Sequence, residues 1–339
     1  MKEIRPMLHI RYLRQVHSSF YAGKKVLITG GLGMIGSNLA IELVKLDAKV
    51  TILDKTTRNL FNINKIRNNV ELVLGDITDK NFIVKNIKGI DVIFHLAARV
   101  SQFPKDSEIL KDMKVNRISH LLMLESLRKY NDKAIIIFSG SRLEYGKPKN
   151  LPVKEDHPLN PINFYGIDKL AAEKYYLLYY NIYGIKSVCF RITNPYGPRS
   201  QMRTSSFNIV NWFIRKALDN EIIQIYGNGE QLRDYIYVRD LINGLLTAIT
   251  HKKAIGLVFN IGSGKGIKFK DMANLIVKIV GKGKVEHIDW PIGYGAIETG
   301  NFVADISKIR KLGWKLKIPL ADGIKKTVDY YRATKSKYW

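Results

Sequence analysis

Residues 24–43 read KKVLITGGLGMIGSNLAIEL. Val26–Thr29 is a short aliphatic run of the kind that fills a strand buried on both faces. Met34–Leu46 carries helical spacing. Between them Gly30, Gly33 and Gly36 fall at G-x-x-G-x-x-G spacing, and Gly31, Gly33 and Gly36 also satisfy G-x-G-x-x-G. Glycine lets the backbone turn tightly, approach a pyrophosphate and pack helix against strand. The helix start, with Met34 and Ile35 in its first turn, then offers unpaired N–H groups to an anion. A second apolar run, Lys49–Leu53, is followed by Asp54. A carboxylate there accepts hydrogen bonds from an adenosine ribose and repels a 2′-phosphate, which favours NAD. Lys55 and Arg58 leave NADP open.

Further runs rich in Val and Ile follow at Glu71–Leu74, Asp91–Leu96, Ala134–Phe138 and Ser187–Ile192. Helical patterns lie between them at Asp79–Asn86, Glu108–Tyr130 and Phe164–Tyr183. This alternation predicts an α/β fold, a Rossmann-type doubly wound parallel sheet. After Asn194-Pro195 the rhythm loosens, with Gly and Pro punctuating Pro195–Pro198, Gly227–Gly229, Gly262–Gly266 and Gly281–Gly283. The expected organisation is an N-terminal extension over 1–23, an NAD-binding Rossmann domain over 24–194, and a smaller, irregular α/β substrate lobe over 195–339. That lobe is free to return strands or helices to the first domain.

With 339 residues, 46% of them hydrophobic and 25% charged, the chain can bury a proper core. Lys and Arg number 55 against 30 Asp and Glu, a formal net charge of +25. The basic residues are spread along the whole length. Nucleic-acid binders concentrate them in a stripe interleaved with stacking aromatics, so the charge points instead to weak contact with acidic surfaces or to steering of an anionic substrate. The one cysteine, Cys189, lies in an apolar run and excludes a disulfide framework or a multi-thiolate metal site. No pair of the seven histidines has metal-ligand spacing, so no metal is expected. No apolar run reaches a membrane span, and MKEIRPMLHIRYLRQ has no secretory h-region, so the expectation is a soluble, cytoplasmic protein.

Tyr165 and Lys169 are four apart in the Phe164–Tyr183 pattern and share a helix face. A free phenol is a poor base at neutral pH, but a nearby ammonium and a cationic nicotinamide favour the phenolate. Such a pair can take the proton of an alcohol whose hydride leaves to NAD. Tyr175, Tyr176, Tyr179, Tyr180 and Tyr183 of the same stretch read as packing residues. Ser141 follows the strand Ala134–Phe138, at the edge where open parallel sheets bind ligands; its hydroxyl can meet the reacting oxygen, or simply form the SGS turn.

Taken in order, TGGLGMIG, Asp54, GDITD with Asp76, HLAA at 95–98, VN at 115–116, SGSRLEYG at 139–146, YGIDK at 165–169, RITNPYGP at 191–198, IYGNGEQLRDYIYVRD at 225–240 and ADISKIRKLGW at 304–314 form one register. The chain resembles the extended short-chain dehydrogenase/reductases, in the nucleotide-sugar epimerase/dehydratase group typified by UDP-glucose 4-epimerase, from about Lys24 to Arg332. The resemblance implies that Asp76 and Ile77 hold the adenine, that Leu96, Ala97 and Ala98 line the cofactor path, and that Asn116 shapes the active-site backbone. It implies Tyr165 as base, Lys169 binding the ribose and lowering the phenol pKa, and Ser141 orienting the substrate oxygen. Asn194 and Arg233 would contact the nucleotide-sugar diphosphate, and His95 would be structural. It further implies a homodimer built on a four-helix bundle supplied by Glu108–Tyr130 and Phe164–Tyr183.

Two departures bear on the reaction. The 4,6-dehydratases carry an Asp-Glu pair before YG, and the sugar-acid decarboxylases a Glu at the second of these positions; this chain has Arg142 and Leu143. Where relatives often place an arginine before Gly-Asp, it reads Glu298-Thr299-Gly300-Asn301. The expectation is an NAD-dependent nucleoside-diphosphate-sugar 4-epimerase working through a transient 4-keto sugar. The alternatives are a 4-reductase or dehydrogenase on the same class of substrate, or a non-catalytic dinucleotide-binding regulator.

Overall fold

The computed structural model describes residues 15–100, 108–204 and 208–339. Seven parallel strands form the central sheet: β1 (Lys25–Thr29), β2 (Lys49–Asp54), β3 (Val70–Leu74), β4 (Val92–His95), β5 (Ile135–Ser141), β6 (Ser187–Ile192) and β11 (Val258–Ile261). Their spatial order is β11-β6-β5-β4-β1-β2-β3. The order reverses between β1 and β4, so a crevice opens at the C-terminal ends of these two strands.

The period-2 alternation of each strand feeds two apolar layers. Val26, Ile28, Val50 and Ile52 point to one face, under α2 (Met34–Val44) and α8 (Val238–Ile249). Leu27, Leu53, Ile93 and Ile136 point to the other, under α3 (Lys80–Ile87), α5 (Ser119–Tyr130) and α6 (Phe164–Tyr183). The Phe164–Tyr183 helix and the sixth strand of the chain have the bounds read from sequence, and the first strand starts one residue earlier, at Lys25.

The stretch Glu108–Tyr130, expected as one helix, is instead α4 (Ile109–Met113), a π-helical turn at Lys114–Ile118, and α5. The reason lies at Asn116, which is buried and clamps the backbone of Arg99. Its Nδ2 donates to the Arg99 carbonyl at 2.8 Å, and the Arg99 N–H donates to its Oδ1 at 2.9 Å. A widened turn of this kind is a common way to aim a side chain out of helical register.

A helical segment at 15–21 lies against α8, where Tyr21 Oη donates to the Leu246 carbonyl at 3.2 Å. Beyond β6, a second apolar cluster joins α7 (Ile209–Leu218), α9 (Phe269–Val280) and α11 (Leu320–Tyr338) to β8 (Ile222–Tyr226) and β10 (Tyr235–Tyr237). No helix among the described residues is long and apolar enough to cross a membrane.

The turn after β1 is a close backbone-to-backbone contact. A Cβ at Gly36 would stand 2.6 Å from both the Gly30 carbonyl oxygen and the Gly31 Cα, all backbone atoms that cannot step aside. Gly36→Ala is expected to lower stability by about 1–3 kcal/mol in urea unfolding. Gly295→Ala, where nothing lies within 4 Å of the added carbon, should be close to neutral.

Candidate active site

The glycine turn is braced from two sides. The Gly30 N–H donates to the Leu53 carbonyl at 2.8 Å, and the Leu32 N–H donates to Asp54 Oδ2 at 3.1 Å. Burial raises the Asp54 carboxyl above its usual range, against backbone N–H groups that pull the other way. α2 begins at Gly33 without a side-chain cap and with no acid in its first turn, so the leading N–H groups of Met34 and Ile35 have no acceptor in the helix. Gly30 has φ +65°, and a Cβ on it would stand 2.8 Å from the Ala97 Cα. Donor-rich, uncapped and free of carboxylates in its first turn, this cradle fits a pyrophosphate.

The other residues expected at the cofactor lie along the same edge. The Thr29 hydroxyl accepts from the Leu96 and Ala97 N–H groups at 3.2 and 3.1 Å, drawing Leu96, Ala97 and Ala98 to the end of β1. The Gly75 N–H donates to the Asp54 carbonyl, which sets the Asp76-Ile77 turn beside Asp54. Burial works to raise the Asp76 carboxyl, but the Thr78 N–H and hydroxyl, both at 2.8 Å, hold it below its ordinary value. His95 is buried at the end of β4 with its Nδ1 2.9 Å from the Thr29 hydroxyl; burial, with Lys169 nearby, drops its pKa to about 3, so the ring is neutral.

α6 starts directly on the turn that follows β5. Asn163 caps it by accepting from the Gly166 N–H at 2.8 Å, and a Cβ on Gly166 would lie 2.5 Å from the Leu143 carbonyl oxygen. This contact holds Tyr165 and Lys169 against the Ser141–Glu144 turn. The Lys169 Nζ lies 5.7 Å from the Tyr165 ring centroid and 5.2 Å from that of Phe138. Lys169 is fully buried, and its Nζ has no hydrogen-bond partner among the described residues. Burial lowers its pKa from the ordinary 10.5 to about 8. Burial and the Glu144 carboxyl both raise the Tyr165 phenol, so it is protonated at neutral pH.

An inward network missed in the sequence supports this turn. Glu144 Oε1 accepts from the Ser141 N–H at 2.6 Å while Ser141 Oγ accepts from the Leu143 N–H at 3.2 Å, a reciprocal cap that fixes Ser141. Glu144 faces Glu173 beside Arg191, whose Nε and Nη2 donate to Glu173 at 2.9 and 2.7 Å. Burial and the Glu173 charge push the Glu144 carboxyl well up, which makes it the neutral partner. These residues are far apart in the chain, and only Glu144 has a local signal, three residues after a serine.

On the other wall, Asn194 and Arg233 come together. Asn194 Nδ2 donates to the Asp234 carbonyl at 2.9 Å, and Arg233 donates to the carbonyls of Leu232 and Gly300. Arg233 also forms an ion pair with Glu298, the residue standing where a second arginine is common in relatives. Arg142, buried between these walls, donates from Nη1 to Thr299 Oγ1 at 2.9 Å and from Nε toward Asn194 Oδ1 at 3.4 Å.

A glycine cradle, a neighbouring acid and a Tyr–Lys pair with its ammonium buried suit dinucleotide-dependent chemistry on a hydroxyl. A profile of the NAD dependent epimerase/dehydratase family matches residues 26–262. The chain belongs to that family. The chain is 34% identical to a putative UDP-glucose 4-epimerase of Methanocaldococcus jannaschii, over 91% of this chain and 98% of the relative. It is 32% identical to UDP-glucuronic acid decarboxylase 1 of Xenopus tropicalis, over 91% of this chain and 72% of that protein. Among solved structures, the UDP-glucose 4-epimerase of Thermotoga maritima with UDP-glucose superposes with a TM-score of 0.84 at 32% identity, covering 92% of this chain and 99% of the other.

The unpartnered ammonium gives this family member a measurable burden. Lys169→Met removes a buried charge and keeps the bulk of the side chain. The ligand-free variant is expected to be more stable than the parent below pH 8, where Lys169 is protonated in both folded and unfolded chains. Between pH 8 and 10.5 only the unfolded chain keeps the proton, so the parent gains stability and the gap closes. Urea midpoints across this range check it.

Proposed function

We propose that the protein is an NAD-dependent nucleoside-diphosphate-sugar 4-epimerase with Tyr165 as its base. The observation that carries this reading is the Lys169 ammonium, buried beneath the Tyr165 ring without a hydrogen-bond partner among the described residues, beside a turn whose Arg142 and Leu143 bring no carboxylate to the sugar. The one acid of that turn, Glu144, is engaged behind Ser141 and is unavailable for eliminating water. Similarity to proteins named UDP-glucose 4-epimerase supports the same choice.

NAD, when bound, supplies a hydride acceptor and donor for the sugar carbon. Gly30, Gly33, Gly36 and the start of α2 would hold its pyrophosphate, with Asp54 at the adenosine ribose, Asp76 and Ile77 at the adenine, and Lys169 at the second ribose. In the structure the phenol of Tyr165 holds its proton firmly. It becomes a base only when positive charge is brought beside it, from Lys169 and from an oxidised pyridine nucleotide. Tyr165 then takes the proton of the C4 hydroxyl, Ser141 Oγ orients that oxygen, and the same phenol returns the proton after the sugar presents its other face. Asn194 and Arg233 would hold the diphosphate, which must compete with Glu298 for the Arg233 guanidinium.

The protein incubated with UDP-galactose or UDP-N-acetylgalactosamine is expected to give the C4 epimer by NMR, without steady accumulation of reduced nicotinamide. Tyr165→Phe should lower kcat by about 10²–10⁴-fold with NAD still bound. A steady rise in reduced nicotinamide would mark a dehydrogenase instead.

We also infer a homodimer through α5 and α6. Phe164, Ile167, Leu178 and Ile182 are all at least 46% exposed and fall within about 60° of arc on α6, away from Tyr165 and Lys169. Leu178→Glu with Ile182→Glu should turn a dimer into a monomer in light scattering.

A further inference from the structure

Among the described residues, the buried arginines and lysines have carboxylate partners, with two exceptions at the candidate active site. Arg191 is held by Glu173, and Arg233 by Glu298. Lys169 is the first exception. The second is Arg142, whose residue is only 7% exposed, with no carboxylate within ion-pair distance of its guanidinium among the described residues. Its plane rests near the Phe302 ring, 5.6 Å from Cζ to centroid. The Nη1 is satisfied by Thr299, the Nε contact to Asn194 is long at 3.4 Å, and Nη2 donates to nothing among the described residues. The Nε/Nη2 edge is therefore the under-used side of the fork, and that edge matches a carboxylate in bidentate geometry. Burial and the charge of Arg233 pull the guanidinium down to about 9, against the opposing pull of the Glu298 and Asp234 carboxylates beyond ion-pair distance.

Position decides which part of a ligand meets this edge. Arg142 directly follows Ser141, which the reading above puts at the reacting hydroxyl of the sugar, and its side chain reaches from there to Thr299 and Asn194, with the Arg233 charge close by. Glu298 pairs with Arg233 and acts on Arg142 only from beyond ion-pair distance, so the Arg142 guanidinium has no direct anion among the described residues. We propose that the site takes nucleotide sugars whose sugar carries a carboxylate, and that Arg142 holds that carboxylate through its Nε/Nη2 edge. This rests on the nucleotide-sugar reading above and narrows its substrate class. The carboxylate can sit on C5, as in a hexuronic acid, or on an ether at C3, as in a muramic acid.

Titration calorimetry on the NAD-loaded protein separates these cases. The probes are UDP, UDP-glucose with UDP-glucuronate, and UDP-N-acetylglucosamine with UDP-N-acetylmuramate. The expected result is that one acidic probe binds at least about tenfold tighter than its neutral counterpart, the pair identifying the carbon that bears the acid; a bidentate charged contact warrants that size. Arg142→Met should remove the preference and leave the Kd for UDP unchanged, and Arg142→Lys should keep part of it. Equal or tighter binding of the neutral probe in both pairs, which needs no variant, overturns the proposal while leaving the epimerase reading standing. Weaker binding of UDP to Arg142→Met assigns the arginine to the diphosphate and also overturns it. If neither UDP nor any of the sugars binds, both readings fall.

Discussion

Backbone pressed on backbone at Gly30, Gly31 and Gly36 is the constraint from which the rest of the edge is built. Because α2 sits so close to the end of β1, its uncapped N-terminus opens over the switch point of the sheet, where β1 and β4 diverge. The same approach brings Ala97 against Gly30 and lets Thr29 gather the strand that follows. Asp54 completes the turn by accepting from Leu32, so the carboxylate at the end of β2 holds the loop that follows β1. Side chains larger than hydrogen at Gly36 would move the helix and every donor it carries.

Charge is distributed by the same economy of space. Removing an ammonium or guanidinium from water costs several kcal/mol, and the cost is offset only by a partner in good geometry. Arg191 has that partner in Glu173 and acts as structural filling behind the turn. Among the described residues Lys169 and Arg142 have no such carboxylate, and both stand at the edge where strands end. Groups left short of compensation in this way mark where a ligand is meant to complete the balance. His95, buried among them, is kept neutral and adds packing without adding charge.

Much of this edge could be read before any coordinates. The glycine turn, Asp54, and the four-residue step from Tyr165 to Lys169 are local patterns with a mechanism: Asp54 accepts from Leu32 within the turn, and Lys169 Nζ lies 5.7 Å from the Tyr165 ring centroid. What could not be read is long-range. The run Val258–Ile261 is four residues with an asparagine inside it, too short and polar to announce a core strand, yet it completes the sheet beside β6. The π-helical turn at Lys114–Ile118 has no Gly or Pro to signal it, because its cause is the amide of Asn116 reaching Arg99 in another loop. The Glu144–Glu173–Arg191 group is invisible for the same reason. Arg142 stood out only as the absence of an acid; its missing partner is a tertiary fact.

The place of β11 has a bearing on how the molecule is assembled. It pairs with β6 from Cys189 to Ile192, although dozens of residues and several helices separate them in the chain. Until Ile261 has left the ribosome, the fully buried β6 is an open edge of apolar side chains and unpaired amides, the kind of surface that recruits other strands. A fragment cut at the Asn194-Pro195 boundary inherits that exposure permanently. The nucleotide-binding half of this protein is therefore a unit in space and not in sequence, and its synthesis runs through a window in which a chaperone would have something to cover.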